Sequence, residues 1–228
     1  VFESYAAMHS IYGELKVKHP AWYDAVIPNY FDPEDFEFSC VKDDYILYLG
    51  RITEIKGLHV AIDATRRAGK RLVIAGQGDL ADLGYDQIPG HVEVVGYANL
   101  EARKALLKHA EALILPTHYI EPFGGVTIEA LFSGTPIITT DWGCFAENNL
   151  HGITGYRCRN MNHFVWALNN TKSITPANCR NWARNNFSLE RVAKMYKEYF
   201  ENIDNLNKDG FYELNNKNDL NWLNKNYP

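Results

Sequence analysis

The sequence predicts an α/β protein built on a doubly wound parallel sheet of the Rossmann-like kind, and two observations lead to this. From Tyr45 onward, short apolar runs alternate with segments of helical spacing, which is typical of a parallel sheet covered by helices. The apolar runs are continuous and do not alternate with polar residues, which indicates strands buried on both faces. The chain of 228 residues is long enough for one large domain or two small ones.

Six apolar runs are the predicted strands: residues 45–49, 72–75, 92–95, 112–115, 136–139 and 155–158. The predicted helices are residues 58–68, 99–109, 125–133, 162–170, 176–186 and 189–202. Ligands bind such sheets outside the carboxyl ends of the strands. A site is therefore expected in the loops that follow the strands.

The two ends of the chain depart from this alternation. Near the N-terminus, residues 2–12 are predicted to form a helix and residues 26–29 a short strand. The last part is rich in asparagine but too apolar for plain disorder, so one or two short helices are expected there. We therefore divide the chain into residues 1–25, a domain at 26–203, and a tail at 204–228 that packs on the domain or on a partner.

Charge and composition restrict the class of protein. The formal net charge is −5 and the basic residues are scattered, which argues against a nucleic-acid partner. No run is long and apolar enough to span a membrane, and no signal-peptide pattern is present. Because the chain starts at Val1 and not at methionine, we expect a fragment of a longer protein.

The four cysteines show neither a C-x-x-C pair nor zinc spacing, which predicts reduced thiols in a cytoplasmic protein. They are Cys40, Cys144, Cys158 and Cys179. Cys144 falls in a predicted loop and is the candidate for a reactive thiol.

The loop after the first strand has the composition of an anion site. Gly50 permits a sharp turn, Arg51 offers a planar fork that matches phosphate oxygens, and Lys56 adds a compact charge. Gly57 begins the next helix, whose N-terminus carries partial positive charge. We expect these residues to clamp a diphosphate and to stabilise it as a leaving group without a metal. The alternative is a solvated loop in which Arg51 pairs with Glu54.

Two glutamates, Glu121 and Glu129, lie eight positions apart around a second anion site. Glu121 is predicted on a loop, Gly124 and Gly125 lead into a helix, and Glu129 lies inside that helix. The helix N-terminus between them favours an anion, and each carboxylate suits a pair of sugar hydroxyls. A nucleotide sugar has this shape. The alternative is that Glu121 caps the helix and Glu129 is a solvated surface residue.

Glycines also follow the second and third strands. Gly76 and Gly78 are expected to let the backbone pass close to a nucleoside, and Gly96 lets the chain turn so that Tyr97 flanks a base. Tyr97 as an ordinary half-buried residue is an equal alternative. The same glycines fit a G-x-G-x-x-A dinucleotide fingerprint with Glu93 as the ribose acid, but that motif is weak here.

Six motifs occur in a fixed order along the chain. They are Gly50-Arg51 with Lys56-Gly57, Ala75-Gly76-Gln77-Gly78, Val95-Gly96-Tyr97, Glu121-Pro122-Phe123-Gly124 with Glu129-Ala130, Ser133-Gly134-Thr135-Pro136, and Gly152-Ile153-Thr154-Gly155. Over residues 26–200 this set resembles the C-terminal half of the group 1 glycosyltransferases, which are retaining enzymes of the GT-B fold.

The resemblance implies a donor site in which Arg51 and Lys56 hold the diphosphate and Glu129 binds the ribose hydroxyls. Glu121 would be the catalytic residue, touching the donor sugar near its reacting carbon. Backbone amides of one segment would meet the phosphate or the sugar: Phe123, Gly124 and Gly125. The substrate would be a UDP- or GDP-sugar, and neither a cofactor nor a metal is implied.

The sequence departs from the family in length. Members carry an N-terminal domain with the acceptor site, of which only residues 1–25 resemble the last helix and hinge. Asn29-Tyr30 also replaces the usual Asn-Gly. We therefore expect a donor-binding domain that is inactive alone, forms a homodimer through its tail, and in the full-length enzyme is peripheral at a membrane.

Two other functions fit the pattern less well. One is a nucleotide-sugar epimerase of GT-B-like fold, in which His118 would serve as the acid or base. The other is a non-enzymatic nucleotide-binding module.

Overall fold

A computed structural model describes residues 1–21 and 23–205 of the chain. Its six strands are β1 (Tyr45–Leu49), β2 (Arg71–Ala75), β3 (Val92–Gly96), β4 (Ala112–Leu115), β5 (Ile137–Thr140) and β6 (Gly155–Cys158). Its α-helices are α1 (Tyr5–Glu14), α2 (Leu58–Ala68), α3 (Leu100–His109), α4 (Gly125–Phe132), α5 (Phe145–Asn148), α6 (Met161–Asn169), α7 (Pro176–Phe187) and α8 (Leu189–Asn205).

The predicted parallel sheet is confirmed, and its strand order creates one switch point. The order is β3-β2-β1-β4-β5-β6, and every neighbouring pair is parallel. The chain winds outward from β1 to β3, crosses back to β4, and then winds the other way. The loops after β1 and β4 therefore leave adjacent strands in opposite directions, which opens a crevice at the carboxyl edge.

Helices cover both faces of this sheet. Right-handed crossovers in opposite winding directions place α2 and α4 on opposite faces. Helix α2 packs against α6, and α4 packs against α7. The largest fully buried side chains include Tyr48, Phe132, Phe145 and Phe187. Burial of this continuous apolar core is the main term that stabilises the fold.

The prediction that every strand is buried on both faces is wrong for β3. Strands β1, β4 and β5 are buried along their whole length, whereas β3 alternates between partly buried and exposed residues. Strand β3 is at one edge of the sheet and exposes Glu93 and Val95, whereas β6 at the other edge is largely buried, so edge position alone does not determine exposure.

The strand predicted at residues 26–29 is also wrong. Val26 forms only an isolated parallel bridge with Phe2, with N–H of Phe2 donated to Ala25 and N–H of Ile27 donated to Phe2. Pro28 follows at once and has no N–H to continue the ladder. The helix predicted at residues 2–12 begins later, at Tyr5, where the Ser4 hydroxyl accepts from the N–H of Ala7.

The cysteines form no disulfide among the described residues: Cys40 is exposed, and Cys144, Cys158 and Cys179 are buried. No helix within residues 1–21 or 23–205 has the length and apolarity needed to cross a membrane. The helices predicted for the tail, beyond residue 205, lie outside the described residues.

Candidate functional site

A cavity of about 370 Å³ lies at the switch point, above the carboxyl ends of β1, β2 and β4. It brings together residues from four loops, from α3 and from the start of α4. Its lining includes Gly50, Arg51, Lys56, Gly76, Gln77, Tyr97, Ala98, Arg103, Glu121, Gly124, Gly125 and Val126. Of the predicted site residues, Phe123, Gly78, Gly96 and Glu129 are not part of this lining.

The loops after β1 and β4 are joined at Gly57. Its backbone is left-handed, with φ +69°, and a Cβ there would lie 1.9 Å from the carbonyl oxygen of Pro116. Only glycine satisfies both conditions. Beside it, the N–H of His118 donates to the carbonyl of Ile55. The two loops therefore hold a fixed distance from each other across the crevice.

The two cations of the first loop differ in their surroundings. The Lys56 ammonium donates to the Glu121 carboxylate, with Nζ 2.7 Å from Oε2, and to the Tyr119 hydroxyl. The Arg51 guanidinium is exposed and lies within ion-pair distance of no carboxylate among the described residues. The alternative Arg51–Glu54 pair is therefore absent from that part of the chain. Arg51 is available for an anion, whereas Lys56 is shared with Glu121.

Tyr119 completes a compact cluster with Lys56 and Glu121. Its hydroxyl donates to Glu121 Oε2 at 2.7 Å. Burial, together with the hydrogen bond to Glu121, raises the pKa of Tyr119 above its ordinary value. The hydroxyl consequently keeps its proton near neutral pH, and Glu121 is held at the pocket wall by two donors. Glu121 does not cap α4.

The start of α4 supplies the second anion-binding element. Gly124, Gly125 and Val126 line the cavity, and the first N–H groups of a helix have no partner within it. Phe123 just before them is buried, with its ring near those of Phe31 and Phe187. The Phe123 side chain therefore anchors the segment in the core, and the cavity lining begins at the next residue, Gly124.

Glu129 lies one turn further along α4 and pairs with Arg103 of α3. Its side chain is 12% exposed, so it is not the solvated surface residue of the alternative interpretation. Burial raises the pKa of Glu129, and the nearby Arg103 guanidinium opposes that rise. Arg103 lines the cavity. Sequence reasoning missed it, because nothing in the spacing of α3 distinguishes Arg103 from a surface arginine.

The glycines after β2 bring two loops together. A Cβ on Gly76 would lie 1.8 Å from the carbonyl oxygen of Gly50, and one on Gly78 would lie 2.8 Å from Ile52. These glycines are thus required by the neighbouring loop, whatever ligand binds. Gly76 lines the cavity together with Tyr97, a residue that is 73% exposed.

Three residues named in alternative interpretations lie away from the cavity lining. Glu93 pairs with Arg71 on the outer part of the sheet. His118 is exposed and packs edge-on against His59, with ring centroids 5.0 Å apart. Cys144 is fully buried, and burial raises its pKa well above the ordinary value, so the thiolate needed for reactivity is disfavoured.

In the described ranges, no group of three or more histidine, cysteine, aspartate or glutamate side chains is arranged to hold a metal ion. The positive elements of the pocket are instead Arg51, Lys56, Arg103 and the α4 N-terminus.

Comparison with known proteins identifies the family to which the chain belongs. A family model described as glycosyl transferases group 1 matches residues 33–186. Glycogen synthase of Mycobacterium tuberculosis is 40% identical over 123 residues, which are 50% of this chain and 30% of that protein. The chain thus spans about a third of that curated relative.

Solved structures share the fold. A glycosyltransferase involved in avilamycin A biosynthesis is similar with a TM-score of 0.73 and 24% identity, over 89% of this chain and 63% of that one. HepE of Anabaena in complex with UDP-glucose has a TM-score of 0.70 and 18% identity, over 90% and 63% respectively. Because the family match covers most of the chain, we conclude that this protein belongs to the group 1 glycosyltransferases. Its fold is that of one of the two Rossmann-like halves of a GT-B architecture.

Proposed function

We propose that this chain is the donor-binding domain of a retaining glycosyltransferase that transfers a sugar from a nucleoside diphosphate to an acceptor hydroxyl. The observation that carries the proposal is the convergence of Arg51, Lys56, Glu121 and the α4 N-terminus on one cavity at the switch point. The UDP-glucose bound by the structurally similar HepE supports a nucleotide sugar as the ligand.

The diphosphate would lie between the loop after β1 and the start of α4. Arg51 would form a forked contact with phosphate oxygens, because no described carboxylate occupies it. The α4 amides of Gly124 and Gly125 would meet the same group from the other side. These positive groups stabilise the diphosphate as its charge develops, so we propose that no metal is required.

The transferred sugar would lie next to Glu121. Lys56 and Tyr119 fix one oxygen of its carboxylate, which orients the carboxylate toward the cavity. In a retaining front-face transfer, the bond from the anomeric carbon to the phosphate oxygen breaks. The acceptor oxygen bonds to the same face of that carbon, and the acceptor proton passes to the leaving phosphate.

The nucleoside would extend toward the loops after β2 and β3. Gly76, Tyr97 and Arg103 line that end of the cavity, and Glu129, which pairs with Arg103, lies next to this lining. Gly78 and Gly96 would shape these loops without contacting the ligand. We propose a uridine or guanosine diphosphate sugar as the donor.

Turnover would need a second domain that carries the acceptor site. Residues 1–25 would form the connection to it, since the Ser4 hydroxyl donates to the Pro122 carbonyl beside Glu121. We further propose that the domain comprises residues 26–203. We also propose that the protein is cytoplasmic with peripheral membrane contact, and that it forms a homodimer through its tail.

A panel of nucleoside diphosphates and nucleotide sugars tests the function. A ligand bound only by the native state raises the melting temperature, so UDP or GDP is expected to do so, and titration calorimetry then gives the Kd. Arg51→Ala combined with Lys56→Ala should abolish the shift. The matched control is Arg66→Ala with Arg67→Ala, two exposed cations of α2. The proposal would be refuted if the Arg66/Arg67 control also lost the shift in melting temperature. It would be refuted as well if no nucleotide shifted the melting temperature of wild type.

A further inference from the structure

Each of the four backbone carbonyl groups from Glu121 to Gly124 accepts a hydrogen bond from outside the cavity. In chain order, the donors are the N–H of Cys144, the hydroxyl of Ser4, the side-chain amide of Asn148 and the N–H of Thr127. None of these four donor residues is part of the cavity lining. The direction of every peptide group in this segment is therefore set from the protein side.

The peptide group between Phe123 and Gly124 is the one that reaches the cavity. Its carbonyl accepts from the Asn148 side chain, with Nδ2 2.6 Å from the oxygen, and Asn148 is buried. In a trans peptide the C=O and the following N–H point in opposite directions, so the N–H of Gly124 points away from Asn148. Gly124 lines the cavity, and within residues 1–21 and 23–205 its N–H has no hydrogen-bond acceptor.

Glycine makes this peptide group easy to turn over. Gly124 has a left-handed backbone, with φ +68°, and a glycine passes readily between positive and negative φ. A turned peptide would present the Phe123 carbonyl to the cavity in place of the N–H, and a carbonyl oxygen repels phosphate. The amide nitrogen of Asn148 can only donate, so its hydrogen bond favours the orientation with the N–H toward the cavity.

We propose that Asn148 is a positioning residue that directs the N–H of Gly124 toward the donor diphosphate, and that Ser4 supports it by fixing the preceding peptide. Both roles depend on the proposed donor-binding function. Neither side chain touches the ligand, because each acts through a backbone carbonyl of the loop after β4.

Asn148 is itself held firmly. It is the last residue of α5, its N–H donates to the Cys144 carbonyl at 2.8 Å, and its carbonyl accepts from the indole N–H of Trp182 at 2.9 Å. The four-residue helix α5 thus places one amide side chain beneath the Phe123 carbonyl. This gives a short helix with no cavity residue a function in the site.

Ser4 is fixed by its two hydrogen bonds. Its hydroxyl oxygen accepts from the N–H of Ala7, and its single proton is donated to the Pro122 carbonyl, with the two oxygens 2.5 Å apart. The residue is buried. Because Ser4 also caps α1, the segment before the domain contributes directly to the shape of the donor loop.

Binding of inorganic pyrophosphate, and of UDP or GDP, gives the first test. Asn148→Ala should weaken both by about fivefold or more, since one charge-assisted backbone contact is lost in part. Asn148→Asp keeps the size but places an anionic oxygen against the Phe123 carbonyl, and should weaken them at least as much. The matched control is Asn149→Ala, which removes a buried amide bonded to β5 and β6. It should lower the melting temperature without this loss of affinity.

A single NMR signal gives the second test. Phe123-Gly124 is the only Phe-Gly pair in the chain, so carbonyl-13C phenylalanine with 15N glycine labels this one peptide group. Pyrophosphate should move the Gly124 N–H signal of wild type, and in Asn148→Ala the movement at saturation should fall to half or less. A merely structural role for Asn148 would leave that ligand-induced movement intact.

The Ser4 variants extend the test to the preceding peptide. Ser4→Ala should weaken pyrophosphate binding in the same direction but less than Asn148→Ala, because the peptide it frees lies one residue further from Gly124. Ser4→Thr keeps the hydroxyl and should bind more tightly than Ser4→Ala. Equal affinity of Ser4→Ala and wild type would remove Ser4 from the proposal.

The outcomes separate this inference from the proposed function. If pyrophosphate binds to wild type without moving the Gly124 signal, or if both Asn148 variants bind as wild type does, the positioning role is overturned and the donor site still stands. Equal losses of affinity in Asn148→Ala and Asn149→Ala would also overturn it, as an effect of general destabilisation. No binding of pyrophosphate or nucleotide by wild type would refute the proposed function itself.

Discussion

Lys56 and Glu121 form an ion pair across the switch point, with Nζ 2.7 Å from Oε2. The side chains are 17% and 13% exposed, so the pair is screened less than a surface salt bridge. It joins the loop after β1 to the loop after β4. Lys56, which is proposed to bind the diphosphate, and Glu121, the proposed catalytic residue, thus form a single structural unit.

Arg51→Ala is expected to weaken binding of nucleoside diphosphate and of pyrophosphate by about 1.5–3 kcal/mol each, the value of hydrogen bonds to charged groups. Stability should change little, because Arg51 is exposed and pairs with no described carboxylate. Titration calorimetry measures the affinities. Arg67→Ala, in an exposed α2 ion pair, is the control. If Arg51→Ala bound both ligands as tightly as Arg67→Ala and wild type do, Arg51 would not be part of the binding site.

Glu121→Gln is expected to lower turnover of the full-length enzyme much more than its affinity for nucleoside diphosphate. The amide keeps the size of the carboxylate but loses the charge that faces Lys56 and the proposed donor sugar. Steady-state kinetics with the nucleotide sugar, together with calorimetry using the diphosphate alone, measure the two effects. Wild-type turnover in this variant would exclude Glu121 from the reaction.

Gly57→Ala is expected to destabilise the fold strongly, because its Cβ would meet the Pro116 carbonyl at 1.9 Å. Gly69 has nearly the same left-handed backbone, φ +66°, with nothing within 4 Å of a Cβ. Gly69→Ala should therefore lower the free energy of unfolding only through conformational strain, by about 1–3 kcal/mol. Gly57→Ala should lower it by a distinctly larger amount. Urea denaturation measures both free energies of unfolding, and equal values would show that the loops are not in contact there.

Glu147 provides a pH-dependent term in stability. Its two carboxylate oxygens accept the N–H groups of Tyr5 and Ala6 at the start of α1. Burial raises the pKa of Glu147 above its ordinary 4.5, although those hydrogen bonds oppose the rise. The folded state then binds a proton more tightly than the unfolded state. This contribution is fully present below about pH 4.5 and is lost as pH rises through the raised pKa.

The free energy of unfolding of wild type, relative to Glu147→Gln, should accordingly decrease as pH rises above about 4.5 and then level off. Denaturation curves at a series of pH values give this difference. An increase with pH over the same range would mean that the hydrogen bonds outweigh burial and that the direction of the pKa shift is reversed.

The strands and most helices could be predicted because each depends on local pattern. The continuous run Tyr45–Leu49 and the helix Leu58–Ala68 were both predicted with the ends that the structure has. Helix α5 was not, since its four residues are too few for a periodic signal. The exposure of β3 depends on how completely other elements cover that edge of the sheet, which the sequence does not express locally.

The site could be predicted only in part for a similar reason. The sequence predicts Arg51, Lys56 and Glu121 in the loops that line the cavity, because glycines and strand ends mark those loops. The partnership of Arg103 with Glu129 joins residues 26 positions apart, and it depends on how α3 packs against α4. No spacing rule along the chain reveals such a contact.

A structure of the protein bound to its tightest nucleoside diphosphate would show whether the loop after β1 and the start of α4 bind the same ligand. We expect phosphate oxygens within hydrogen-bond distance of both the Arg51 guanidinium and the backbone amides at Gly124 and Gly125. A diphosphate bound elsewhere, or one that touches only one of these two elements, would contradict it.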